Sequence, residues 1–418
     1  MKSEKIEIDI ARLQSQIDEL ALISENPPPV VTRILFSEAD LRGRAFVKKL
    51  AAEAGLKVRQ DAIGNIFIQW TGQNPKLPAV ATGSHIDAIP NAGKFDGVVG
   101  VLGPIEAIRA LQRAGVNPER SIEVIVFTAE EPTRFGIGCV GSRLLAGTLA
   151  PEKAALLKDR DGKSLESWRE QVGWANEHLR SVRLASNCFS AFVELHIEQG
   201  PLLEKENLPI GVVERIAAPS TLRLALTGVG GHAGGTLMPG RRDALLAGAE
   251  VALAVEKAAL NSGSPDTVAT TGIFRIEPGA VNSVPCKAHL EIDLRDTQTR
   301  TRDGAMAQIE RDVGTICERR GVQFELERVA TDPPVTCDPR LVNLIAETCS
   351  TLRLPFKRMV SRAYHDSSFM AQICPTVMIF IPCRNGWSHR PDEYASPEQI
   401  KTGVTVLAHT LASLASEL

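Results

Sequence analysis

The amino-acid sequence predicts an α/β protein of two domains, the smaller inserted into the larger. Three observations lead there. A chain of 418 residues is too long for one ordinary core and divides best into about two. The run Ser121–Ala129 is apolar enough for a central strand and stops abruptly at Glu130-Glu131-Pro132. After Gly211 the candidate elements follow the order β-α-β-β-α-β over about a hundred residues, which is that of a compact ferredoxin-like unit. A strand–helix pattern resumes after Pro333, so the larger domain spans 1–212 and 331–418 and the insertion 213–330.

The elements follow in order. Helical apolar spacing covers residues 4 to 24, Asn26-Pro-Pro-Pro29 breaks it, and residues 38 to 54 read as a second helix. Strand candidates lie at Asn65–Trp70 and Pro78–Thr82, followed by a glycine-rich turn and an amphipathic helix over Pro104–Ala114. Ala191–Gly200 alternates like a strand, so Glu194, His196 and Glu198 share one face. In the insertion, strands are expected at Leu222–Thr227, Val268–Ile276, Ala288–Asp296 and Gln323–Val329, with helices at Asp243–Leu260 and Arg302–Arg320. Thr376–Ile381 is a further apolar strand, followed by a loop that holds His389.

Composition excludes several classes of function. A net charge of −3 without a basic block disfavours nucleic acid or an anionic membrane as partner. The charged start Met1-Lys-Ser-Glu-Lys5 lacks the apolar core of a signal peptide and no segment is apolar enough to span a bilayer, so a cytoplasmic protein is expected. The eight cysteines show no CxxC spacing, which argues against both disulfides and a thiolate zinc site.

The chemistry concentrates at strand ends. His85 and Asp87 follow one apolar run, with Asp96 shortly after in a turn containing Gly93, Gly97 and Gly100. A glycine-rich turn with a helix-capping aspartate would look the same in isolation. Glu130 and Glu131 end a buried strand, where adjacent carboxylates repel unless a cation, protons or solvent relieve them. Five of the eight histidines (His85, His196, His232, His365 and His389) lie in loops or at strand ends among glycines or acids. Imidazole and carboxylate ligands without thiolate suit zinc, manganese, cobalt or nickel. A pair of such ions needs a bridging carboxylate, for which Asp96 is the candidate, leaving the Glu130-Glu131 pair to supply one ligand and one general base.

Taken in order, His85-x-Asp87, Asp96-Gly97, Glu130-Glu131, His196-x-Glu198-Gln199-Gly200 and His389 resemble the M20 family of dinuclear metallohydrolases. More narrowly, the chain resembles its hydantoinase/carbamoylase amidase branch, which includes allantoate, N-carbamoyl-L-amino acid, β-ureidopropionate and ureidoglycolate amidohydrolases. The resemblance implies a catalytic domain with a mixed sheet and an inserted lid that also forms a homodimer. It implies two divalent ions, manganese by preference: His85, Asp96 and His196 bind one, Asp96 bridges, and Glu131 and His389 complete the second. Asp87 would orient His85 and Glu130 would be the general base. The residues alone leave His365 open as an alternative ligand to His389.

By the same comparison His232 in Gly-Gly-His-Ala-Gly stabilises an oxyanion, donated by the partner subunit's lid, and Asn282 contacts a substrate amide. Arg295 in Asp-Leu-Arg-Asp grips a substrate carboxylate and Gln199 lies against a ureido group. The stretches Glu131–Gly147 and Ser361–Ser367 most resemble the ureidoglycolate-hydrolysing members. Tyr364 stands where allantoate and carbamoyl amino acid hydrolases usually carry a small residue, so Tyr364 and His365 are the expected specificity residues. The implied reaction is attack of an activated water on the ureido carbonyl of (S)-ureidoglycolate, with a small ureido-carboxylate as the only partner besides a second copy. Allantoate or N-carbamoyl amino acid hydrolysis is the alternative, with a metallopeptidase, an aminoacylase or a non-catalytic binding protein further off.

Overall fold

The computed structural model describes residues 6–416, and the charged run Met1–Lys5 lies outside them. The described chain forms two compact units. The first runs up to Glu214 and again over Cys337–Met359 and from His365 onward; the second is Arg215–Thr336 with the short return Val360–Tyr364.

The first unit is built on a mixed sheet whose neighbouring strands are, in order, Ile210–Ile216, Thr376–Ile381, Phe189–Ile197, Ala79–His85, Ile122–Phe127, Ile66–Trp70 and Lys57–Gln60. The four from Thr376–Ile381 to Ile122–Phe127 are mutually parallel and the flanking strands antiparallel. Every residue of Ala79–His85, Ile122–Phe127 and Thr376–Ile381 is buried, as parallel strands covered by helices on both faces require. All four parallel strands therefore present their carboxyl ends at one edge, where an open α/β sheet receives ligands.

Three expected elements shift. The first helix is Ile10–Ala21, because the Asp9 side chain accepts the N–H of Arg12 and caps it there. The helix expected over Pro104–Ala114 begins at Val99 and carries Pro104 in its second turn. The strand expected to carry Glu198 on the face of His196 ends at Ile197. Strands Lys57–Gln60, Ala88–Ala92, Ile210–Ile216 and Phe356–Ser361 carry no strong alternation and were not foreseen.

The second unit is a four-stranded antiparallel sheet in the order Val268–Glu277, Lys287–Asp296, Ala218–Thr227, Gln323–Thr331. Helices Ala244–Leu260 and Thr299–Arg320 cover it, which with this strand order is the ferredoxin-like arrangement. Leu222, Leu224, Leu226, Leu290, Ile292 and Leu294 alternate into its core against Val251, Val255 and Ile309. No helix among the described residues is long and apolar enough to cross a membrane.

Helix Ile10–Ala21 is fastened to the first unit by Glu106, whose fully buried carboxylate accepts from the Asp9 N–H at 3.0 Å, from Arg12 at 2.9 and 2.6 Å, and from Arg113 at 2.9 Å. Both arginines reach solvent, so they can rehydrate if the carboxylate is lost. Glu106→Ala is expected to cost roughly 1–3 kcal/mol, read as a lower urea midpoint with an unchanged slope.

Candidate metal centre

Each parallel strand delivers a functional group to the same edge. His85 is the last residue of Ala79–His85, His196 the penultimate residue of Phe189–Ile197, Glu130-Glu131 follow Ile122–Phe127, and His389 lies in the loop after Thr376–Ile381. Asp96 comes from the turn that enters helix Val99–Arg113. Gly97, at φ 68°, leaves room there: a side chain on it would begin 2.5 Å from the His85 ring.

The histidine hydrogen bonds decide what the cluster can hold. His85 Nδ1 lies 3.0 Å from the Asp87 carbonyl oxygen and His196 Nδ1 2.9 Å from the Ile197 carbonyl oxygen. A carbonyl only accepts, so each Nδ1 carries a proton, and each ring turns Nε2 inward, with a bare lone pair whenever the ring is neutral. Those lone pairs face a carboxylate: Asp96 Oδ1 stands 3.8 Å from His85 Nε2 and 3.2 Å from His196 Nε2. Lone pair against carboxylate is repulsive unless a proton or cation sits between them. The other oxygen, Asp96 Oδ2, stands 3.1 Å from His389 Nε2, which is 3.2 Å from Glu131 Oε1. Two ligand sets result, His85–Asp96–His196 and Asp96–Glu131–His389, each with ligand atoms within 4.8 Å of one another and Asp96 common to both. These residues fit a pair of divalent ions.

Electrostatics shows the same demand for positive charge. Burial alone would lower the His85 pKa, but Glu130, Asp87, Asp96 and Glu131 together raise it to about 10. Hydrogen bonds to Asp96 and Glu131 push His389 up to about 11. Burial works to raise Asp96, yet His196, His389 and His85 hold it well below the usual carboxylate range. Glu130 moves the other way: burial, with the carboxylates of Glu131, Asp366 and Asp96, raises it well above an ordinary glutamate despite His85.

Asp87 meets His85 through its main chain and borders it with its carboxylate. Its backbone carbonyl holds His85, while its side chain, 3.7 Å from His85 Nδ1, accepts the N–H of Glu131 at 3.0 Å and faces that of Glu130 at 3.4 Å. It thus fixes the turn that aims the two glutamates apart, a turn that also requires φ 55° at Ala129. Glu130 Oε2 ends 3.7 Å from His85 Nε2, and Glu131 reaches His389. Gln199 and His389 likewise have positive φ, at 53° and 60°, so the chain accepts left-handed backbone at three non-glycine residues around this edge. Because the strand has ended, Glu198 turns away and accepts the N–H groups of Leu202 and Leu203 at 2.8 Å each.

His365 belongs to a third set, Glu194–His196–His365. That set is poorly suited to an ion, since Glu194 already accepts from Ser84 Oγ at 2.7 Å, Ser367 N at 3.2 Å and Ser367 Oγ at 2.5 Å. The His365 ring packs edge-on against His196, with centroids 4.6 Å apart, and so backs a ligand. Behind it Asp366 accepts from Ser142 Oγ at 2.5 Å, and burial beside Glu194 raises its pKa to about 8. Glu194, Asp366, Ser388 and Glu393 were assigned no role from the sequence. For Ser388 and Glu393 the sequence offers only nearness to His389, which does not reveal the partners that folding brings to them.

The remaining expected residues lie in the second unit. His232 is exposed, its Nδ1 accepting from Gly234 N and Gly235 N at 3.2 Å each, and the Asn282 carbonyl accepts the N–H of Ala233 at 2.8 Å, so the two loops run together. Arg295 is bonded to Asp293, Nε to Oδ1, at 2.7 Å. Tyr364 closes the return segment Val360–Tyr364, where Arg362 pairs with Asp266 at 2.5 Å.

Known proteins carry the same framework. The ureidoglycolate hydrolase of Arabidopsis thaliana is 53% identical over 418 residues, covering 99% of this chain and 88% of that one. The crystal structure of AtUAH in complex with glyoxylate matches with a TM-score of 0.91 at 53% identity, covering 98% of each chain, and its complex with (S)-hydroxyglycine matches equally. A sequence model of peptidase family M20/M25/M40 matches residues 81–413, a span that takes in every candidate ligand from His85 to His389. With that model matched over most of the chain's length and a relative 53% identical across 99% of it, the chain belongs to peptidase family M20/M25/M40.

Proposed function

We propose that this chain hydrolyses the ureido group of (S)-ureidoglycolate in a metal-dependent reaction, giving glyoxylate, carbon dioxide and two molecules of ammonia for one water. The observation that carries the metal part is the pair of Nε2 lone pairs turned onto Asp96 by Nδ1 bonds to backbone carbonyls. The full-length similarity to proteins named for ureidoglycolate and solved with glyoxylate and (S)-hydroxyglycine supports the substrate.

Two ions, manganese by family preference with zinc, cobalt or nickel also suited to these ligands, would polarise the ureido carbonyl and acidify a shared water. Glu130 takes the proton of the attacking water and returns it to the leaving nitrogen, a role that suits a carboxylate whose proton affinity is raised by burial. Gln199 binds the ureido group through Oε1, which is buried and has no partner among the described residues, while its Nε2 is held by Asp96 and Ser388 at 3.1 Å each. Arg295 holds the substrate carboxylate, Tyr364 and His365 its hydroxyl end, Asn282 an amide, and His232 the oxyanion. His232 and Asn282 come from a second copy on this reading. Its support is an apolar surface of the second unit, where helix Ala244–Leu260 exposes Leu246, Leu253 and Leu260 at seven-residue spacing, and edge strand Val268–Glu277 exposes Val268 and Phe274.

Four measurements check this. Ammonia release from manganese-loaded protein should be faster with fresh ureidoglycolate than with allantoate or an N-carbamoyl amino acid. Glu130→Ala should lower kcat about 10²–10⁴-fold with metal content unchanged; a preference for either rival substrate moves the activity within the branch. Metal uptake should expel protons. The acidic neighbours that raise the pKa of His85 (to about 10) and of His389 (to about 11) favour a proton on each ring where a cation would bind, so adding Mn²⁺ at pH 7 should release protons, and affinity should fall as pH falls. Finally, Leu253→Arg with Leu260→Arg should halve the mass seen by sedimentation.

A further inference from the structure

The segments that carry Asp96 and His389 are far apart in sequence, yet one side chain joins them. Glu393, only 4% exposed, accepts the backbone N–H of Phe95 at 2.8 Å and of Asp96 at 3.0 Å through Oε1. Its Oε2 accepts from Ser388 Oγ at 2.8 Å, and Ser388 directly precedes His389. The same hydroxyl stands 3.1 Å from Asp96 Oδ2 and 3.1 Å from Gln199 Nε2. One hydroxyl has one proton, so Ser388 serves Glu393 or Asp96 while accepting from Gln199. The fit is tight: a side chain on Gly93 would begin 2.4 Å from Glu393 Cβ. The next residue repeats the link, with Tyr394 edge-on to Phe95 at 6.0 Å between centroids.

The two oxygens of Asp96 divide the labour. Oδ1 faces His85 and His196, and Oδ2 faces His389. Every side-chain contact of this clamp falls on the Oδ2 side. We propose that Glu393, acting with Ser388, is a positioning residue that holds the Asp96 turn against the His389 loop and so sets the affinity of the Asp96–Glu131–His389 site, leaving the His85–Asp96–His196 site largely unaffected. This inference rests on the two-ion reading above.

Titration of metal-free protein with Mn²⁺, following the free ion by its paramagnetic resonance signal, tests both separately. The unmodified chain should take up two equivalents; uptake of fewer overturns the two-ion reading and this inference with it. In Glu393→Ala one equivalent should bind as before and the other about 10–100-fold more weakly. Glu393→Gln keeps an acceptor for the two N–H groups and should recover most of that loss, which a role in bulk packing alone would not require. Should Glu393→Ala fail to fold, Ser388→Ala removes only the hydroxyl link and should weaken the same single equivalent. Two equivalents bound as in the unmodified chain, or both weakened alike, would overturn the assignment.

Discussion

The hydrogen bond from each imidazole Nδ1 to a main-chain carbonyl is the constraint on which the rest of the site depends. It fixes the tautomer and leaves a lone pair pointing into a region already crowded with carboxylates. The strand ends decide this direction, because the carbonyl acceptors belong to residues just beyond or beside the histidines. A cluster so arranged is unfavourable by itself, since His85, Asp87, Asp96, Glu131 and His196 are all buried. Cations or retained protons must therefore complete it, and the same groups that make it unstable when bare make it avid.

Much of the surrounding structure serves to keep the charges in their places. The Asp87 carboxylate spends its hydrogen bonds on the backbone of the glutamate turn, Glu194 is saturated by Ser84 and Ser367, and Arg33 donates to the carbonyl oxygen of Ile86, between His85 and Asp87, at 2.7 Å. Each of these groups holds backbone or a ligand's neighbour, which leaves the ligand atoms themselves for the ions. Left-handed backbone at Ala129, Gln199 and His389 fits the same pattern, as local cost accepted where side chains must leave a strand in unusual directions.

Which parts of this were legible in the sequence follows from the range of the forces involved. Long apolar runs such as Thr376–Ile381 declare themselves because burial acts along the whole segment. The ferredoxin-like unit is legible for a related reason: alternation and helical spacing follow one another without interruption. The clamp formed by Ser388 and Glu393 was not legible, because its meaning depends on Phe95 and Asp96, which only folding brings near. Asp87 illustrates an intermediate case. Its place beside His85 was evident, but whether the backbone or the carboxylate does the orienting depends on a turn more than forty residues later. Glu198 was misplaced by one strand period, since alternation continues in the sequence past the point where Gln199 turns the chain.

The order of strands across the sheet has a consequence for how the molecule is made. Thr376–Ile381 lies between Ile210–Ile216 and Phe189–Ile197, both synthesised long before it. A ribosome thus releases two apolar strands with a gap between them, and the gap closes only when almost the entire chain has emerged. His389 arrives on the heels of that closing strand. A growing chain therefore acquires its last ligand only as its sheet becomes whole, so truncated products have neither a sealed core nor a complete metal centre.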